Sequence, residues 1–362
     1  MPVDRFAHPA ALAGPPIPWS RLRRILVVRP DNLGDVLLTG PALAALRAAA
    51  PGARIELLAS PGGAAAAALL PEVDDVVVAR VSWQRIETGP AEPGPPDPGL
   101  VEELAARGYD AAVLLTSFSQ SPWPAAYVCQ LAGIGIRAGL SKEFGGAGLT
   151  HWVPSPDDEL HQVDRALHLL ERLGVPGRGT DLHARVEPAA AQDLLDASGI
   201  AGPYAVLLPG ASCPSRRYPA ARFREVVRLL GQEGLPVVVS GPAAEAELVA
   251  EVADGLPGAV AAAGGLDVPG LAALLAGAEV VVANNSGGTH LADAVGTPVV
   301  VLFAGTELAA QYRPRSVPAA VLGRPTACTP CRQFRCPFHL ECLDVPPAEV
   351  AAAALRLVPA RA

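Results

Sequence analysis

Hydrophobic positions in this chain fall into short runs, separated by stretches in which apolar residues recur at helical spacing. Residues 25–28, Ile-Leu-Val-Val, are apolar at every position and rich in β-branched side chains, the pattern of a strand buried on both faces. Similar runs recur at 54–59, 75–78, 111–115 and 135–140. Between them lie alanine-rich or amphipathic stretches at 42–50, 62–70, 100–107 and 123–132, which favour helix. The alternation predicts a parallel sheet with helices on both faces.

After a Gly- and Pro-containing stretch at 174–185 the alternation restarts. Strands are expected at 204–208, 237–240, near 260, 279–283 and 298–303, and helices from 220, over 243–253 and 268–276, up to 295 and over 347–357. The fold class is therefore α/β with two βαβ halves, facing one another across a cleft. The expected boundaries are a flexible arm at 1–20, a first domain at 21–175, a second at 185–345 and a C-terminal helix at 346–362. The proline- and glycine-rich residues 88–99 read as an exposed loop. Residues 141–157 read as an irregular, mobile loop at the cleft. Residues 158–173 read as an amphipathic helix, with Leu160, Val163, Leu167 and Leu170 on one face.

In open α/β sheets ligands bind beyond the carboxyl ends of strands, so the loops there are the candidate sites. Residues 29–35 leave the first strand, and Asp35 after Gly34 can present a carboxylate at the mouth of a cleft; the alternative is an acid that caps or charges a helical turn. A polar bend at 116–120 contains Ser117, and the 158–173 helix adds His161 and Asp164, which fit either an acceptor side or a solvated face. In the second half, Asn285, Ser286, Gly287, Gly288, Thr289 and His290 lie between a buried strand and a helix, where backbone N–H groups can approach an anion. Gly210, Ala211 and Ser212 precede Arg216, whose guanidinium can pair with phosphate. Glu245 can accept ribose hydroxyls or favour a helix dipole. Neither a Walker loop nor a G-x-G-x-x-G fingerprint occurs, which argues against P-loop NTPases and nicotinamide dehydrogenases.

The net charge of −8 argues against a nucleic-acid partner, and no run of 18 apolar residues occurs. The first 18 residues lack the basic start and apolar core of a signal peptide. Six cysteines in a chain of 362 residues do not make a secreted disulfide scaffold, so a cytoplasmic location is expected. Four of the cysteines, Cys328, Cys331, Cys336 and Cys342, crowd together with His339. They could hold a structural zinc or an iron–sulfur cluster, or remain reduced or disulfide-capable thiols, since the spacing is not the paired C-x2-C of a zinc ribbon.

Several segments together resemble glycosyltransferase family 9, the heptosyltransferases. They are Arg29-x4-Gly34-Asp35-Val36 with Pro41, Pro209-Gly-Ala followed by Arg216-Arg-Tyr-Pro219, Gly241 with Glu245, and Asn284-Asn-Ser-Gly-Gly-Thr-His-Leu-Ala292 followed by Gly296-Thr-Pro298. The resemblance implies a GT-B architecture of two Rossmann-like domains and metal-independent, inverting transfer without a cofactor. It implies an ADP-linked sugar donor, typically ADP-heptose, on the second domain. A glycan or lipid-linked acceptor, such as a lipopolysaccharide core, belongs on the first, with room for peripheral contact at the inner membrane surface. Asp35 falls on the catalytic base, Arg29 and Arg216 on the cations at the leaving diphosphate, Glu245 on the ribose carboxylate, and Ser286 to Thr289 on the phosphate loop, with His290 beside it. The chain departs from the family at Asn285, where Asp is usual. Other readings are a family member using another nucleotide sugar for a different glycan or secondary metabolite, a GT-B epimerase or phosphorylase, and a non-catalytic glycan-binding protein.

Overall fold

The computed structural model describes residues 14–84, 97–143 and 148–358. Most of the loop expected at 88–99, and part of that at 141–157, lie outside the described residues. The chain divides into two compact units between Thr180 and Asp181.

In chain order the first unit contains β1 (Arg24–Arg29), α1 (Leu33–Leu37), α2 (Gly40–Ala49), β2 (Arg54–Ala59), α3 (Pro61–Ala67) and β3 (Asp75–Val78). It continues with α4 (Leu100–Arg107), β4 (Ala111–Leu114), α5 (Trp123–Leu131), β5 (Ile136–Ser141), β6 (His151–Pro154) and α6 (Gln162–Arg172). The second unit contains α7 (Gln192–Ala197), β7 (Ala205–Leu208), α8 (Ala220–Gln232), β8 (Val237–Gly241), α9 (Ala246–Ala253) and β9 (Ala259–Ala263). Then come α10 (Val268–Ala276), β10 (Val280–Asn284), α11 (Gly287–Val295), β11 (Val299–Leu302), α12 (Ala309–Tyr312), β12 (Ala319–Leu322) and α13 (Pro347–Leu357).

Each unit holds a six-stranded sheet, in the orders β3-β2-β1-β4-β5-β6 and β12-β11-β10-β7-β8-β9. Every strand pair is parallel. Renumbered within its own unit, the second sheet repeats the first: the chain starts in the middle, winds to one edge, returns and winds to the other. That order has one switch point per sheet, where the loops leaving two adjacent strands part and open a crevice. In the first sheet the switch lies between β1 and β4, aligned with Val28 opposite Leu114. In the second it lies between β7 and β10, with Leu208 opposite Ala283. The central strands are buried on both faces, as their Val-, Leu- and Ala-rich runs require: β4, β7, β10 and β11 bury every residue.

Four local expectations are corrected. The stretch 141–157 is not wholly irregular, because residues 151–154 pair with β5 as the edge strand β6. Pro154 is tolerated there because an edge strand needs no ladder donor on its outer side. The helix expected from 158 begins at Gln162, since His161 Nδ1 accepts from the Val163 N–H at 3.2 Å and caps the helix there. Asp35 and Gly34 lie inside the short helix α1 rather than in a loop. The described end of the expected N-terminal arm is packed: Trp19 is buried and its indole Nε1 donates to the Leu173 carbonyl at 3.0 Å. Among the described residues no helix is long and apolar enough to cross a membrane.

Candidate active site

At the first switch point β1 ends on Arg29, whose side chain is only 4% exposed. Its Nη2 donates to Asp35 Oδ1 at 2.9 Å and to Ser117 Oγ at 2.8 Å. Its Nε lies 2.9 Å from Asp31 Oδ2, near enough for an ion pair though not aligned as a hydrogen bond. One buried cation therefore ties three segments together: the turn after β1, α1 and the bend after β4. Asp31 is itself buried, and its Oδ1 accepts from Gln84 Nε2 at 2.6 Å and Gln120 Nε2 at 2.7 Å. Burial pushes the Asp31 carboxyl above its ordinary range, Arg29 pulls it back, and neighbouring Asp35 adds to the rise. Asp35 is the open member of the group, with a side chain 25% exposed.

Asp35 borders a small pocket that it shares with Arg29, Thr39, Thr116 and Gln162. A separate cavity of about 320 Å³ lies on the Asp31 side, with Gln84, Gln120, Ser119 and Ser121 among its polar walls. Of the sequence candidates on this unit, the structure brings Arg29, Asp35 and Ser117 into contact and buries Gly34 within α1. His161 and Asp164 do not line the Asp35 pocket; α6 sends Gln162 and Ala166 there instead. Asp31, Gln84 and Gln162 were not singled out from the sequence. Asp31 carried a signal, an acid two residues after Arg29, whereas the glutamines carried none.

On the second unit four loops reach the carboxyl edge of the sheet. Asn284, at the end of β10 and fully buried, accepts from the Tyr218 N–H at 2.9 Å and donates through Nδ2 to the Pro209 carbonyl at 2.7 Å. It thereby pins the 209–219 loop across the switch point. Thr289 is also buried, and its hydroxyl donates to the Asn284 carbonyl at 2.8 Å. Ser286 is the N-cap residue of α11, but its side chain makes no capping bond to the helix's first N–H groups. A Cβ on Gly288 would come within 2.3 Å of Leu208 Cδ1, so a glycine lets α11 pack close to β7.

Gly210 is fixed by a second close approach: a Cβ there would lie 1.9 Å from Glu245 Oε2. The Glu245 carboxyl thus lies over the 209–219 loop, 3.7 Å from Arg217 Nη2. Burial raises its pKa and Arg217 partly offsets the rise. Ala211 is buried and Ser212 exposed in the same loop. Arg216 donates through Nε to Thr306 Oγ1 at 3.1 Å, and its Nη2 pairs with Glu307 Oε1 at 2.6 Å. Asn285 donates through Nδ2 to Glu307 Oε2 at 3.2 Å. His290 is buried, its ring 6.3 Å from that of Tyr312. Second-unit candidates thus gather from the turns after β7, β8 and β10, with Glu307, from the turn after β11, added by the structure.

The cysteine-rich segment braces two of these turns through its backbone. The Cys331 N–H donates to the Gly305 carbonyl at 2.9 Å and the Arg332 N–H to the Thr306 carbonyl at 3.1 Å. On the other side the Ser215 N–H donates to the Phe334 carbonyl at 3.2 Å. Burial raises the Cys342 thiol, and the thiols of Cys336, Cys331 and Cys328 add to the rise. All four are free cysteines, and among the described residues no group of three or more His, Cys, Asp or Glu is arranged to hold a metal ion.

Two Rossmann-like units, each with its polar loops at the switch point, define the GT-B class of glycosyltransferase fold. The solved structure of a family 9 glycosyltransferase from Veillonella parvula superposes with a TM-score of 0.76 at 23% identity, over 95% of this chain and 99% of its own. An Escherichia coli heptosyltransferase solved with ADP gives 0.62 at 23% identity, over 82% of this chain and 90% of its own. Lipopolysaccharide heptosyltransferase 1 of Pseudomonas aeruginosa is 27% identical over 334 residues, 87% of this chain and 88% of that protein. Residues 99–341 match the profile of glycosyltransferase family 9 (heptosyltransferase), and the chain belongs to that family. It is a glycosyltransferase.

Proposed function

We propose that this enzyme moves a heptose from ADP-heptose onto a hydroxyl of a lipopolysaccharide core or related cell-surface glycan, inverting the anomeric centre without a metal. The observation that carries the reading is Asp35, a partly exposed carboxylate held at one oxygen by the buried Arg29 at the switch point of the first sheet. The acceptor hydroxyl attacks the anomeric carbon from the side opposite the diphosphate. Its proton passes to Asp35 as the new C–O bond forms, and the bond to the diphosphate breaks, releasing ADP. Arg216 and the first N–H groups of α11 meet the charge that develops on the leaving diphosphate. Glu245 accepts the ribose hydroxyls. The ADP in the E. coli heptosyltransferase structure and the name of the P. aeruginosa relative support the donor and the reaction. On this reading the enzyme works in the cytoplasm and meets a lipid-linked acceptor at the inner membrane surface.

A thermal-shift screen of nucleotide sugars tests the donor. A ligand at ~100 times its dissociation constant adds about 2.7 kcal/mol to the state that binds it. ADP-linked sugars should raise the melting temperature while UDP- and GDP-linked sugars leave it unchanged. Stabilisation confined to a UDP- or GDP-sugar would assign the chain to a different donor.

A further inference from the structure

The turn after β11 carries a carboxylate that the mechanism above does not use. Glu307 holds Arg216 Nη2 at 2.6 Å through Oε1 and accepts from the Asn285 amide at 3.2 Å through Oε2. Thr306, its neighbour, takes Arg216 Nε at 3.1 Å. Two successive residues of one turn therefore grip one arginine, and the second carboxylate oxygen reaches the residue that precedes the N-cap of α11. The side chains of Arg216 and Glu307 are 23% and 17% exposed, so solvent screens the pair only in part.

A carboxylate beside a phosphate-binding cation has two opposed effects. Its charge weakens the pull of Arg216 on an anion. Its hydrogen bond holds a long, flexible side chain in one orientation, so that less conformational freedom is lost when the anion arrives. Asn285 adds a constraint: its Nδ2 can donate to Glu307, whereas an aspartate there would set two carboxylates against each other at the same distance. Asn285 and Glu307 thus form a matched pair in which the negative charge sits at 307.

We propose that Glu307 is a positioning residue of the donor site, which fixes Arg216 for the diphosphate and requires a neutral amide at position 285. The inference rests on the reading of Arg216 as a diphosphate ligand. Calorimetry with ADP tests it on the wild type and on Glu307→Ala, Glu307→Gln, Asn285→Asp and the double variant Asn285→Asp/Glu307→Gln. Glu307→Ala should weaken ADP binding about tenfold, even though it removes a negative charge from the site. Glu307→Gln keeps an acceptor for Arg216 and should stay within about threefold of wild type. Asn285→Asp should lose about tenfold, and the double variant should recover to within about threefold. A role in stability alone would not give that recovery. Affinity in Glu307→Ala equal to or tighter than wild type, or a double variant as weak as Asn285→Asp, overturns the proposal. If the wild-type protein binds no ADP, the diphosphate reading fails and this role falls with it; if wild type binds and Glu307→Ala matches it, this role fails alone.

Discussion

Replacing Arg29 by methionine keeps most of its apolar stem and removes the cation that joins Asp31 to Asp35. Asp31 would then be a buried carboxylate, its side chain 4% exposed, with only the amides of Gln84 and Gln120 as hydrogen-bond donors to its Oδ1. Removing one partner of a buried ion pair costs about 3–5 kcal/mol, because the charge left behind is uncompensated. The lower end applies here, since the two amides remain and Asp31 can take up a proton. At about 2–4 °C per kcal/mol for a domain of 150–250 residues, a cost of about 3 kcal/mol should lower the transition of the first unit by roughly 6–12 °C. The deficit should also depend on pH in a stated direction. Burial already raises the Asp31 pKa and Arg29 is the cause that opposes it, so loss of Arg29 raises it further. Protonation relieves the unpaired charge, and the gap between variant and wild type should therefore narrow as pH falls below neutral. Calorimetric melting at pH 7 and pH 5 reads both effects, with Arg29→Lys expected to lose less than Arg29→Met. A shift under about 2 °C at pH 7, which corresponds to ≲1 kcal/mol, would refute the assignment of Arg29 as the buried clamp.

Four further outcomes follow from the second unit. Arg216→Ala should weaken ADP binding by roughly 1–3 kcal/mol and Arg216→Lys should recover part of it, as calorimetry can show; unchanged affinity in the alanine variant removes the residue from the site. Gly210→Ala would set a methyl group 1.9 Å from Glu245 Oε2, so the carboxylate must move, and the cost in melting stability should be about 1–3 kcal/mol. A Glu245→Gln variant with the same ADP affinity as wild type would show that this carboxylate does not hold the ribose. Glu245 also has a raised pKa from burial, so its contribution to stability is present below its ordinary value of 4.5 and is lost as pH rises through the higher folded value. Glu245→Gln should remove that slope from a melting-temperature profile against pH.

The chain's apolar runs were enough to place most strands, because a doubly covered parallel sheet demands unbroken Val, Ile, Leu or Ala segments. The two strands that escaped notice, β6 and β12, are short edge strands of four residues, and β12 has no fully buried position. Edge strands need less burial and so leave a weaker pattern. The candidate site was legible where polar and charged residues crowd one short stretch of sequence: Arg29 to Asp35, or Ser286 to Thr289. It was not legible where a side chain's role depends on a distant partner. Glu307 reads as one acid in a turn until the fold sets it against Arg216, whose contact with the neighbouring Thr306 spans 90 residues of chain. Asn284, likewise, reads as the first residue of the turn after a strand, and only the parallel pairing of β7 with β10 shows that it anchors the 209–219 loop.

The central claim is that Asp35 takes the acceptor's proton. Asp35→Asn keeps the size of the side chain and an oxygen to accept from Arg29, and loses the basic oxygen. General bases contribute about 10²–10⁴-fold, so heptose transfer from ADP-heptose by this variant should fall at least ~100-fold. Affinity for ADP, measured on the same preparation, should stay at the wild-type value, because the loops proposed to bind the donor belong to the second unit and Asp35 to the first. Turnover within a few-fold of wild type would contradict the account and move the base elsewhere. The predicted result is loss of turnover with donor affinity intact.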